Sequence, residues 1–136
     1  RYFLNFPRVK EYMEKAVENA KKTGEVRTLF GRKRKIPELF SSNYMTRSFG
    51  ERAAINTPLQ GSAADIMKVA MIKVYESLKS TGAKLILQIH DELIVESPDE
   101  EVENVKKILV GCMGNAVKLS LPLTVDVEQG KSWIDC

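Results

Sequence analysis

Two adjacent carboxylates, Asp91 and Glu92, and the chain's single histidine, His90, sit between two apolar, β-branched-rich runs in Leu85-Ile86-Leu87-Gln88-Ile89-His90-Asp91-Glu92-Leu93-Ile94-Val95. Each run has the length of a strand, and the polar residues fall where a tight turn would join them. A buried hairpin with an Asp-Glu tip can hold a divalent cation at the edge of a rigid sheet. Neighbouring strand residues point to opposite faces, so Asp91 and Glu92 are expected to do different jobs. So sparse a carboxylate set needs further ligands from elsewhere. Magnesium suits it, because that ion keeps several waters and takes oxygens from substrate phosphates. The plainer reading is a solvated turn, in which Asp is common for conformational reasons and His90 is a partly buried ring with one satisfied nitrogen.

A second group lies upstream. Arg52, Asn56 and Gln60 recur at intervals of four, which places them on one face if the helices carrying them run nearly continuously. Planar side chains rich in donors suit phosphates and groove edges. Gln60 also has a structural explanation. Thr57-Pro58-Leu59-Gln60 reads as a helix start with a cap, a proline in the first turn and a capping-box glutamine. Asn56 would then be a helix-ending residue.

The elements that must position these groups follow from periodicity and punctuation. Phe6 to Thr23 reads as a helix with Pro7 in its first turn and Gly24 at its end. Val26–Leu29 and Arg34–Ile36 read as short strands about Gly31, and Pro37 to Thr46 as a polar connection. A helix from about Arg47 to Asn56 is broken at Thr57-Pro58. The next helix carries Ala63, Met67, Ala70, Val74 and Leu78 and closes at Gly82. After the Asp-Glu hairpin, Ser97-Pro98-Asp99-Glu100 repeats the capping pattern before a helix bearing Val102, Val105, Leu109, Cys112 and Ala116. Leu123 to Val127 alternates as a last strand. The fold class is α+β, an antiparallel sheet backed by helices.

The chain has 136 residues, with 43% hydrophobic and 29% charged, enough for one compact domain. No apolar run reaches membrane-spanning length and no signal peptide opens the chain, so no membrane partner is expected. Cys112 and Cys136 give neither a disulfide framework nor a metal-ligand spacing, which fits a cytoplasmic protein with Cys112 as a core thiol. Net charge is only +3, but it is unevenly spread. Arg27, Arg32, Lys33, Arg34, Lys35, Arg47 and Arg52 crowd the first half, and acids concentrate from Asp91 to Glu103. A basic half with an acidic tip suits a phosphate-rich polymer that must also meet a metal. The run from Arg32 to Lys35 reads as a solvated edge rather than a specific site, with a salt-sensitive contribution to duplex affinity as the alternative.

The string from Glu51 to Ile66, Glu-Arg-Ala-Ala-Ile-Asn-Thr-Pro-Leu-Gln-Gly-Ser-Ala-Ala-Asp-Ile, followed by Gln88-Ile-His-Asp-Glu-Leu-Ile-Val95, closely resembles the family A DNA polymerases, the bacterial DNA polymerase I type. Tyr2-Phe3 with Phe6-Pro7, Thr28-Leu29-Phe30-Gly31-Arg32, and Gly130 with Trp133 extend the resemblance colinearly over essentially the whole chain. It implies the C-terminal palm and fingers portion, residues 1–136, of a right-hand polymerase with a palm-type antiparallel sheet. His90-Asp91-Glu92 matches the palm motif. Asp91 would be a catalytic ligand of two magnesium ions, Glu92 would support the metal site, and His90 would sit by the primer terminus. Arg52, Asn56 and Gln60 match positions that contact primer–template DNA on its backbone and minor groove, where features common to all correct pairs are displayed. The implied activity is DNA-directed DNA polymerisation in replication or repair. A deoxynucleotide is added from its triphosphate to a primer 3′-hydroxyl by two-metal phosphoryl transfer, with release of pyrophosphate. No oligomer is expected.

The chain begins with Arg1 rather than Met, and neither the family's upstream palm aspartate nor its nucleotide-binding fingers helix is found. It therefore reads as the last part of a longer polypeptide, inactive alone. Two other readings remain open: a duplex DNA-binding module of the same fold without chemistry, and a different magnesium-dependent phosphotransferase. The latter gives no use to a duplex-tracking face.

Overall fold

The computed structural model describes residues 2–135; Arg1 and Cys136 lie outside the described residues. The chain divides into two compact units, with the boundary between Ala63 and Ala64. It is a mixture of helices and two small antiparallel sheets, each of two strands.

In the first unit a short helix, α1 (Tyr2–Asn5), precedes α2 (Pro7–Thr23). Pro7 opens α2 because the first turn needs no intrahelical N–H from it. Gly24 ends it at φ +72°, donating its N–H to Ala20 O at 2.8 Å, the left-handed cap that glycine adopts without strain. The outer face of α2 is solvated. Lys15 and Lys22 hydrogen-bond Glu11 and Glu18 at 2.6 Å and hold both carboxyls below the usual range.

Strands β1 (Glu25–Arg27) and β2 (Lys33–Lys35) pair with Glu25 opposite Lys35, Val26 opposite Arg34 and Arg27 opposite Lys33. A 3-10 turn, Pro37–Phe40, leads to α3 (Tyr44–Leu78). The core of this unit is Ala20, Val26, Ile36, Leu39 and Ala54. The segment read as a polar connection therefore already contains the start of α3. Asn43 Oδ1 caps it, accepting from Met45 N at 2.8 Å and Thr46 N at 3.3 Å.

The expected break at Thr57-Pro58 is absent. Pro58 lies inside α3. Pro58 removes one backbone donor, yet its neighbours are tied down: Ala54 is fully buried, and Ser62 Oγ donates to Pro58 O while accepting from Leu29 N at 2.9 Å. Packing overrides the local signal. Thr57 is not a cap, since its Oγ1 accepts from Arg34 Nη1 at 3.0 Å, and the capping-box explanation of Gln60 lapses with it.

The second unit begins within α3. Its core is Val74, Leu78, Ala83, Val105 and Leu109, with Leu85, Leu93, Val95, Cys112 and Val127 among the side chains packed against it. The apolar stripe of α3 is buried from Ala70 on, whereas Ala63, on the first-unit side of the boundary, is exposed. Thr81 and Gly82 turn the chain into β3 (Lys84–Ile89), which pairs with β4 (Glu92–Glu96).

A 3-10 turn, Asp99–Glu101, leads into α4 (Val102–Gly114). The second expected capping pattern is not used: Ser97 Oγ donates to Pro98 O instead, and three consecutive acids occupy the opening turn, where the helix dipole favours them. Residues 123–127 form no strand. Leu123, Val125 and Val127 are half-buried and Thr124 and Asp126 exposed, so the alternation is real, but no described strand supplies a ladder. Among the described residues no helix is long and apolar enough to cross a membrane.

Candidate functional site

The two groups of side chains singled out in the sequence lie one in each unit. In the second, β3 and β4 are joined by a two-residue turn, His90-Asp91, with Ile89 opposite Glu92. Asp91 is therefore a turn residue and Glu92 the first residue of a strand. All three tip residues are exposed. His90 has φ +52°, the only non-glycine residue with positive φ among the described residues. Positive φ at the first position of a two-residue hairpin suits glycine, so an imidazole is retained there at a conformational cost of about 1–3 kcal/mol.

Gln88 takes a role that the residue types did not disclose. Its Nε2 donates to His90 O at 2.6 Å, bracing the turn from the adjoining strand. Its only signal was a planar amide two residues before the tip. The register shifts between Leu85 and Leu87, leaving Ile86 as an extra residue in β3. Such a bulge twists and re-aims the strand beyond it, here the stretch that ends at the tip.

The outer face of this hairpin is apolar. Leu87 pairs with Ile94 and Ile89 with Glu92, opposite the face on which Leu85, Leu93 and Val95 meet the core. Leu87 is 42% exposed and Ile86 54%.

Among the described residues no group of three or more His, Cys, Asp or Glu side chains is placed to hold a metal ion. Asp91 and Glu92 are thus two neighbouring carboxylates with no third such side chain beside them among the described residues. Hard oxygen donors on an exposed tip fit an ion such as magnesium that draws its other ligands from water and substrate; by themselves they make no closed cage.

In the first unit, Arg52, Asn56 and Gln60 lie on one uninterrupted helix, at the spacing that stacks them on one face. All three are exposed. Arg52 Nη1 donates to Ser48 Oγ at 3.3 Å, one turn earlier on the same helix. Gln60, freed from the capping role, lines a cavity against the basic β1–β2 hairpin. The structure thus gathers His90, Asp91 and Glu92 at one hairpin tip and Arg52, Asn56 and Gln60 on one helical face.

The family model for DNA polymerase family A matches residues 1–135. The chain is 52% identical over 137 residues to DNA polymerase I of Bacillus subtilis and 50% identical over 137 residues to that of Caldicellulosiruptor bescii. Each alignment covers 99% of this chain and 16% of the relative, so the chain spans about a sixth of the length of the curated relatives it matches. A solved structure of the POL domain of Pol1 from M. smegmatis, in complex with DNA primer-template and dNTP, superposes with a TM-score of 0.94 at 45% identity. That alignment covers 97% of this chain and 24% of the other.

Proposed function

The chain belongs to DNA polymerase family A, and from that membership we propose that it forms the C-terminal palm and fingers portion of a template-directed DNA polymerase. The observation that carries the reading is the exposed His90-Asp91-Glu92 hairpin tip on a chain that aligns over nearly its whole length with part of DNA polymerase I. The reaction is attack of a primer 3′-hydroxyl on the α-phosphate of a deoxynucleoside triphosphate, with release of pyrophosphate.

Asp91, at the apex of a short rigid turn, is the carboxylate best placed to face a reacting phosphate, and it would hold magnesium. Glu92, anchored in β4, would support the same site. Magnesium bound there would polarise the phosphoryl oxygens and the attacking hydroxyl. His90 would contact the primer terminus, its position fixed by the strained backbone and by Gln88. Arg52, Asn56 and Gln60 would grip the primer–template duplex along its backbone and minor groove, so that chemistry and duplex-holding rest on different elements. Positioning and charge compensation are what such a transfer asks of a protein. The apolar outer face of β3–β4 suits a sheet covered on both sides, as a palm would require.

The 136-residue chain alone is expected not to polymerise, since two carboxylates make only part of a two-metal site. The test is magnesium-dependent primer extension by the full-length polymerase, wild type against Asp91→Ala. Extension should collapse by orders of magnitude while duplex binding persists. Survival of extension would leave the tip as a turn and favour a DNA-binding module.

A further inference from the structure

Between the β1–β2 hairpin and α3 lies a cavity of about 220 Å³ whose walls include Arg32, Lys33, Arg34, Thr57 and Gln60. The hairpin approaches the helix closely at Gly61, where an added methyl would come within 2.7 Å of Thr28 Cγ2. Both arginines are docked on the helix. Arg32 Nη2 donates to Gly61 O at 3.1 Å, and Arg34 Nη1 donates to Thr57 Oγ1 at 3.0 Å. Lys33 Nζ stands 3.8 Å from Glu25 Oε1, an oxygen that already accepts two hydrogen bonds from Arg27 at 2.8 and 3.1 Å. From Glu25 to Lys35 that glutamate is the single acid among five cationic side chains.

Cations fixed around a concavity by contacts of their own form an anion site whose ordering cost is met on folding. Guanidinium forks match phosphate oxygens in shape as well as charge. Gln60 belongs both to this cavity and to the exposed face of Arg52 and Asn56. We infer that the cavity is a subsite for a backbone phosphodiester of a nucleic-acid strand, which continues across Gln60 onto that face. A free phosphate would gain nothing from the neighbouring face, whereas a polymer meets both. The inference rests on the proposed duplex binding by Arg52, Asn56 and Gln60 and extends it to the hairpin.

The test is duplex affinity of the full-length polymerase across a salt series, for wild type, Lys33→Gln, the Lys33→Gln/Arg34→Gln pair and Lys35→Gln. Lys35 is a cation of the same hairpin that does not line the cavity. The double variant should flatten the dependence of log affinity on log salt by about 0.9, the share of one neutralised phosphate. Lys33→Gln should flatten it in part, and Lys35→Gln should leave the wild-type slope. Lys33→Gln keeps the Arg34–Thr57 hydrogen bond, so it carries the test should the double variant fold poorly. Equal flattening by Lys33→Gln and Lys35→Gln, or none by any variant, would overturn the inference and leave a diffuse basic edge. Stabilisation of wild type but not the variants by inorganic phosphate, with unchanged duplex slopes, would also overturn it, by showing a free-anion site. Absence of duplex binding in the wild type would strike the proposed duplex binding itself.

Discussion

His90 carries a left-handed backbone at φ +52° where glycine would fit without strain. Substituting His90→Gly should therefore stabilise the turn by up to about 1 kcal/mol, seen as slower hydrogen exchange at the Ile89 and Glu92 amides. The same substitution in the full-length polymerase should leave it extending primers poorly. Faster exchange would contradict the strain reading. Gln88→Ala removes the 2.6 Å hydrogen bond to His90 O, an interaction worth about 1 kcal/mol. In the full-length polymerase it should raise the magnesium concentration for half-maximal extension by roughly fivefold, and an unchanged magnesium requirement would reduce Gln88 to an ordinary strand residue. The turn at His90-Asp91 was legible because a polar triplet between two apolar runs marks where a hairpin closes. Gln88 was not, because its bond to a carbonyl two residues on depends on how the turn closes.

Elements were legible where local chemistry and packing agree. Pro7 and Gly24 bound α2 as read, and the two hairpins fall where the turns predict. The misreadings share one cause. Thr57-Pro58 is a strong local break signal, but buried Ala54 and the Ser62 bridge to Leu29 keep α3 continuous. Ser62→Ala would strand the Leu29 N–H, so it should cost about 1–3 kcal/mol in a denaturant-unfolding comparison; a cost below about 0.5 kcal/mol would show that the bridge is incidental. Gly50→Ala should cost a similar amount, about 1–3 kcal/mol, because its new methyl would meet Leu39 N at 2.8 Å, a backbone atom with little room to move. At residues 123–127 the period of two is kept in burial, yet a strand also needs a partner, and partnership is not written in a local pattern.

At the scale of the whole chain, charge is divided as the proposed labour is. The unit ending at Ala63 holds 13 Lys and Arg against 6 Asp and Glu, and the unit beginning at Ala64 holds 8 against 12. The basic unit carries Arg52, Asn56, Gln60 and the hairpin cavity; the acidic unit carries Asp91 and Glu92. Long-range attraction of a polyanion falls to the first, and the carboxylates that would meet a metal fall to the second. Family membership was legible in the ordered motifs of the sequence. The single face shared by Arg52, Asn56 and Gln60 was not settled until α3 proved unbroken.

Duplex-holding and chemistry are thus assigned to different units, and one paired measurement separates them: duplex dissociation constants and single-turnover extension rates for full-length Asp91→Ala and Arg52→Ala beside wild type. Asp91→Ala should abolish turnover while binding duplex about as tightly as wild type. Arg52→Ala should weaken duplex binding by about tenfold, the scale of one charge-assisted hydrogen bond. Wild-type turnover in Asp91→Ala would show that Asp91 has no part in the chemistry, and a weakening of its duplex binding that matches the fall in rate would show that the two roles are not separate.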